Sequence, residues 1–204
     1  MSLDTVFWVA SFTKLLTSVA CMQLVEQGRP SLDDAEQLEK IAPELGGTKV
    51  LTRTQEGAGF GYAFEDEKLA EFGRPVGLDD FSGIREDVIT RPLVNQPGQT
   101  FQYGTSMDWV GIIIERITGL ELEEYFSMAI LQPLGMEVSF YPEKLTGELA
   151  YLHRRLEGDQ LMHIDHLYRA PFNQNALEKP GRLFCAGGHG CFGKPTQINL
   201  HLSL

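Results

Sequence analysis

Cysteine is scarce in this 204-residue chain: there are three, Cys21, Cys185 and Cys191. An odd trio cannot build a disulfide framework and fits a reducing compartment, so a cytoplasmic location is expected. Basic side chains are also in deficit, with 17 Lys and Arg against 28 Asp and Glu and a net charge of −11 with histidine neutral. Phosphate backbones need a basic face, which excludes nucleic acid as a partner, and an anionic membrane surface is equally unsuited. No stretch approaches 18 consecutive apolar residues, so no transmembrane helix is expected. The first ten residues contain Asp4, lack a basic start and lose their apolar run at Ala10, so they do not read as a signal peptide. Low-complexity sequence is missing as well, and 43% hydrophobic and 10% aromatic residues suffice for a folded core.

What is present is mostly helical. Phe12, Leu15, Leu16, Val19, Met22 and Val25 recur at spacings of three and four, predicting a helix from Ser11 with one buried stripe. Gly28 ends it and Pro30 prevents continuation. Residues 31–34 read as a polar turn feeding a short acidic segment. Residues 45–63, with five glycines and no sustained period, read as loop, and Glu65 to Phe72 as a short helix. Ser106 to Thr118 is apolar almost all round, which predicts a buried helix closed by Gly119. Leu122, Tyr125, Phe126, Ala129 and Ile130 make a third stripe, stopped by Pro133. Short strands and loops are expected beyond Met136. No convincing strand precedes Ser11, and none closes the C-terminus.

Ser11-Phe12-Thr13-Lys14 has the S-x-x-K spacing. At i and i+3 on a helix the two side chains share a face, with Cβ atoms about 5–6 Å apart. A lysine so placed can take the serine proton in its neutral form, which a helix N-terminus favours. The spacing alone is cheap, since about one match is expected by chance in a chain of this length; the bland alternative is a helix start with a solvated lysine. Tyr103-Gly104-Thr105, on a loop entering the most buried helix, is a variant of Y-x-N or Y-x-S whose hydroxyl can relay protons. A half-buried aromatic with a satisfied hydroxyl is the ordinary reading of such a residue. Tyr125-Phe126-Ser127 also fits Y-x-S, but Tyr125 belongs to an amphipathic stripe and is assigned to the core.

Two clusters bear on metal-dependent hydrolysis. His163-Ile164-Asp165-His166 resembles the end of H-x-H-x-D-H, but the first histidine position is Leu161. Cys185, His189 and Cys191 lack the second cysteine pair of a zinc clasp. Neither metal nor cofactor is expected. Gly187 to Gly190 is no phosphate-binding loop, because the lysine and Ser/Thr of that motif are absent.

The stretch from Val6 to Asp34 resembles the serine β-lactamase and transpeptidase-like family, especially the esterases and transesterases related to class C β-lactamases. The resemblance resumes from Pro92 to Met136, where Gln96-Pro97-Gly98-Gln99, the G-x-x-I-E helix at Gly111 to Glu115 and Pro133-Leu134-Gly135-Met136 follow the family in order. Gly59-Phe60-Gly61-Tyr62 and the Gly-rich run Cys185 to Gly193 fit it too. The resemblance implies an α+β fold of the β-lactamase/transpeptidase type in a single domain over 1–204. It would be mostly the helical part with an incomplete antiparallel sheet, as if truncated at both ends.

By the same resemblance Ser11 would be the acyl-accepting nucleophile, Lys14 its general base and Tyr103 a second proton shuttle. Ser11, Gly187 and Gly188 would serve oxyanion and substrate binding. The implied reaction is serine-dependent acyl transfer or ester hydrolysis on a small ester or acyl-thioester through an acyl-enzyme, with a place in secondary metabolism. Three departures favour an alternative, a catalytically inactive remnant or interaction protein. Only ten residues precede Ser11, the histidine-rich helix expected before Gly59 is replaced at Lys49 to Gly57, and the resemblance ends after Gly193. Stripped of a sheet, the Ser11 helix would expose apolar surface. Substrate identity and oligomeric state are not legible.

Overall fold

The computed structural model describes residues 2–31, 33–50, 59–72, 74–96, 98, 100–172 and 183–199. In chain order these form β1 (Phe7–Trp8), α1 (Thr13–Glu26), α2 (Ala35–Ile41), α3 (Pro43–Gly47), α4 (Glu67–Glu71) and α5 (Arg85–Ile89). There follow α6 (Ser106–Thr118), α7 (Leu122–Phe126), α8 (Gln132–Leu134), β2 (Val138–Ser139), β3 (Leu152–Arg155), β4 (Leu161–Ile164) and β5 (Phe192–Gly193). Among the described residues no helix is long and apolar enough to cross a membrane.

Helices α1 and α6 pack against each other. Ala20 and Leu24 of α1 pack in one core with Ile114 of α6, Leu122, Tyr125 and Phe126 of α7, and Val138, Phe140 and Cys191 beyond them. Burying a side chain such as Leu24 or Phe126 stabilises by about 1.5–3 kcal/mol. Asp34 starts α2 by accepting the Gln37 N–H at 2.9 Å, as an N-cap should. Gly119 closes α6 in the left-handed region (φ 73°), and Gly28 does the same beyond α1 (φ 68°), both as the sequence led us to expect.

Only part of the expected α1 stripe turns inward: Leu16 packs against the core and Val25 is half-buried, while the rest faces out. Phe12, Leu15, Val19 and Met22 are 59, 47, 38 and 48% exposed, and the buried face is Thr13, Thr17, Ala20 and Leu24. Hydrogen bonds decide this orientation. The Thr17 hydroxyl donates to the Gly187 carbonyl at 2.7 Å, and the Thr13 hydroxyl accepts the Cys191 N–H at 3.0 Å. Two threonines thus dock the helix on the Gly-rich turn, where a larger apolar residue would leave backbone groups unpaired.

Pro133 does not stop the third helix. Its missing N–H is accommodated by a wide π-turn over Ser127–Leu131, and the chain continues through α8 until Gly135 turns left-handed (φ 63°). The loop expected at 45–63 contains the end of α3, and residues 51–58, with Gly57, lie outside the described residues. Leu32 of the polar turn lies outside them too. A strand does precede Ser11: β5 is the centre of a three-stranded antiparallel sheet ordered β1-β5-β2, with Phe7 opposite Gly193 and Trp8 opposite Phe192. Two-residue strands are too short to show the alternation that reveals a strand in sequence. Strands β3 and β4 form a separate exposed hairpin.

Candidate active site

The chain turns sharply into α1. Ala10 opens a 3₁₀ turn over Ala10–Phe12 with φ 45°, a left-handed conformation that costs a residue with a Cβ about 1–2 kcal/mol. That turn leaves Ser11 exposed at the mouth of α1, and Lys14 follows one helical turn later, half-buried. The Lys14 Nζ donates to Ser11 Oγ at 3.3 Å. Tyr103, 92 residues away, places its hydroxyl oxygen 2.6 Å from Ser11 Oγ. The ammonium also stands 4.7 Å from the centre of the Tyr103 ring and 5.8 Å from that of Tyr62.

Burial pushes the Tyr103 phenol up, but the Ser11 hydrogen bond and the neighbouring Lys14 ammonium outweigh it and hold the phenol below its ordinary range. The loop bearing Tyr103 can lie against the Phe60–Gly61 backbone only because Gly104 has no side chain: a Cβ there would fall 1.6 Å from the Phe60 carbonyl oxygen. Tyr62 is anchored from behind. Arg91, 2% exposed, donates to the Gly61 carbonyl at 3.1 Å and pairs with Asp80, which accepts the Ala63 N–H at 2.9 Å.

Gly187 and Gly188 lie behind Lys14. A Cβ at Gly187 would meet the Met107 carbonyl at 2.6 Å. The Gly188 N–H, expected as an oxyanion donor, is engaged by Asp108 Oδ1 at 2.8 Å, and the Gly188 carbonyl accepts from Lys14 Nζ at 2.7 Å. Gly188 therefore seats the lysine. Thr13, Thr17, Tyr62 and Asp108 contribute to this arrangement and were not singled out in the sequence. Asp108 shares its helix with Glu115 and Arg116, so its charge alone does not mark it out in the sequence.

Beside Lys14 and Tyr103 opens a cavity of about 600 Å³ walled by Phe60, Leu93, Phe101, Gln102 and Met107. Tyr125 is core, 5% exposed, as assigned. The metal candidates do not assemble: among the described residues no three His, Cys, Asp or Glu side chains converge on one point. His163 instead faces His153 across the β3–β4 hairpin, with ring centres 5.5 Å apart. Cys185 and Cys191 are buried thiols whose ionisation is pushed up by that burial.

A serine in the turn that opens α1 and a lysine three residues on, met by a tyrosine from a separate loop, match the S-x-x-K spacing of the penicillin-recognising serine class. The chain belongs to the β-lactamase family, whose model, described as Beta-lactamase, matches residues 1–171. It is 33% identical over 225 residues to ML-236A carboxylate methylbutanoyltransferase mlcH of Penicillium citrinum, covering 97% of this chain and 51% of that protein. It is 35% identical over 164 residues to lovastatin esterase of Penicillium rubens, covering 69% and 41%. Simvastatin synthase (LovD) from Aspergillus terreus superposes with a TM-score of 0.75 at 29% identity, covering 97% of this chain and 53% of that one. Helices with a small antiparallel sheet thus represent part of the β-lactamase/transpeptidase-like fold. The chain spans about half the length of the curated relatives it matches.

Proposed function

We propose that the protein transfers an acyl group through Ser11, taking a small ester or acyl-thioester and delivering the acyl group to water or an alcohol. The contact between Ser11 and Tyr103, 2.6 Å between hydroxyl oxygens beside the Lys14 ammonium, is the observation that supports this reading. Ser11 Oγ bonds to the substrate carbonyl carbon as its proton passes to the Tyr103 oxygen, whose anionic form the ammonium favours. The leaving oxygen or sulfur departs with that proton, leaving the acyl group on Ser11. Water or an alcohol then attacks, Tyr103 takes its proton, and Ser11 regains a proton as the new acid or ester leaves. Tyr103 is the immediate proton acceptor in this scheme and Lys14 its electrostatic support, a reversal of the roles implied by the resemblance.

The cavity beside Lys14, with Phe60, Leu93 and Met107 in its wall, suits an apolar acyl chain. Relatives named as an esterase and a methylbutanoyltransferase support a substrate of this class, and with it a place in secondary metabolism. A p-nitrophenyl ester of a short branched acid tests the proposal. A burst of nitrophenol with one acyl mass on the Ser11 peptide is expected. No adduct, or an adduct that persists in Ser11→Ala, overturns it. The exposed stripe Phe12, Leu15, Val19 and Met22 favours the second reading, a non-catalytic interaction protein, and that reading is what a missing adduct would leave.

A further inference from the structure

Asp108 has no part in the scheme above, yet it is a wholly buried carboxylate in the first turn of α6. Its Oδ1 accepts the Gly188 N–H at 2.8 Å, and on the other side of the same residue the Gly188 carbonyl accepts from Lys14 Nζ at 2.7 Å. The two side chains grip Gly188 between them. A Cβ at Gly188 would lie 3.0–3.2 Å from the carboxylate atoms, so the acid is pressed directly against that backbone. The His189 ring approaches Oδ1 only to 3.9 Å, and Oδ2 has no hydrogen-bond partner. Lys14 and Arg91 act on the carboxylate through space. A buried carboxylate without a contacting cation is costly to hold, and a cation one residue away offsets that cost.

The geometry points to Asp108 as a positioning residue: by fixing Gly188 and setting a negative charge behind it, the carboxylate holds the Lys14 ammonium in reach of Ser11 and Tyr103. The kinetic consequence rests on the acyl-transfer reading, but the contact does not. Loss of the carboxylate releases Gly188, and with it the lysine amine, which is then free to move away from the phenol. A displacement of about 1 Å in such a group costs about 10²-fold in rate.

The test is competitive acetylation of the intact protein with acetic anhydride at pH 8, read lysine by lysine by mass spectrometry. Lys40, Lys68 and Lys144, all distant from Gly188 in the chain, serve as internal references. Asp108→Asn removes the charge and weakens the hold on the Gly188 N–H, so the loosened Lys14 amine becomes more accessible and its labelling should rise about threefold against the references. Asp108→Ala should raise it further and slow Ser11 adduct formation about 10²-fold at unchanged half-saturating ester, with Asp108→Asn recovering part of the rate. Unchanged Lys14 labelling in Asp108→Asn overturns the proposal, and this variant decides the matter if Asp108→Ala does not fold. Absence of any Ser11 adduct in the unaltered protein would instead sink the acyl-transfer reading, leaving the labelling result to judge Asp108.

Discussion

Ser11 and Tyr103 bring their hydroxyl oxygens to 2.6 Å across 92 residues of chain, and Lys14 Nζ donates to the same Ser11 oxygen at 3.3 Å. One of the two hydroxyls must donate to the other. Because the ammonium favours a phenolate, the pair is biased toward the serine as donor, the direction nucleophilic attack requires. Tyr103→Phe keeps the ring that faces Lys14 and removes only the acceptor. Its Ser11 adduct with a p-nitrophenyl ester is expected to form about 10²–10⁴-fold more slowly. Thermal unfolding should move little, since the hydroxyl lies at the half-buried mouth of the site.

Ala10 holds a left-handed conformation immediately before the serine. Glycine adopts φ 45° freely but gives up about 0.5–1 kcal/mol through its more disordered unfolded state, against about 1–2 kcal/mol of relieved strain. Ala10→Gly is therefore expected to stabilise by about 0.5–1 kcal/mol in urea unfolding, with an unchanged m-value. Ala10→Val should destabilise, because a β-branched residue fits that region worst.

The residues of the site were legible to different degrees, for physical reasons. Ser11, Lys14 and Tyr103 could be read because two stand at a fixed three-residue spacing where α1 opens and the third sits before a helix rich in apolar residues. Periodicity likewise located α6 and the closing Gly119 and Gly28. It also found the stripe of α1 but turned Phe12, Leu15, Val19 and Met22 inward with Leu16, since hydrophobicity carries no information about the hydrogen bonds that Thr13 accepts from, and Thr17 donates to, a turn about 170 residues later. Asp108 was hidden for the same reason: its burial is settled by a backbone N–H that the chain supplies 80 residues on. Strands β1 and β5 were too short to signal themselves, and only their pairing makes them visible.

Arg91 and Asp80 form a buried ion pair beneath the segment that carries Tyr62 to Lys14, with side chains 1% and 6% exposed. Such a pair adds little net stability, but removing one member strands the other charge. Asp80→Ala is expected to cost about 3–5 kcal/mol in denaturant unfolding. Asp80→Ala with Arg91→Met should recover much of that loss, because no uncompensated guanidinium remains. Recovery in the double variant, measured by the shift in urea midpoint, separates a stranded charge from simple loss of packing.

Asp108 and His189 give the protein a pH dependence in which two buried groups oppose each other. Burial pushes the Asp108 carboxyl up to about 6, against the partial restoring effect of the Gly188 N–H and the charges of Lys14 and Arg91. Burial and the same two cations push the His189 ring down to about 3. The folded protein thus holds more protons than the unfolded chain at Asp108 between pH of about 4 and 6, so that group costs stability as pH rises through the window. At His189 the folded protein holds fewer protons between pH of about 3 and 6.5, so that group adds stability as pH rises. The two slopes run in opposite directions where the windows overlap, each at most about 1.4 kcal/mol per pH unit. Asp108→Asn removes the falling contribution, so its unfolding free energy should climb more steeply from pH 4 to 6 than that of the unaltered protein. His189→Gln removes the rising one and should do the reverse. Urea unfolding at half-unit pH intervals resolves the three profiles, and parallel curves would mean that neither group titrates between the folded and unfolded states in this range.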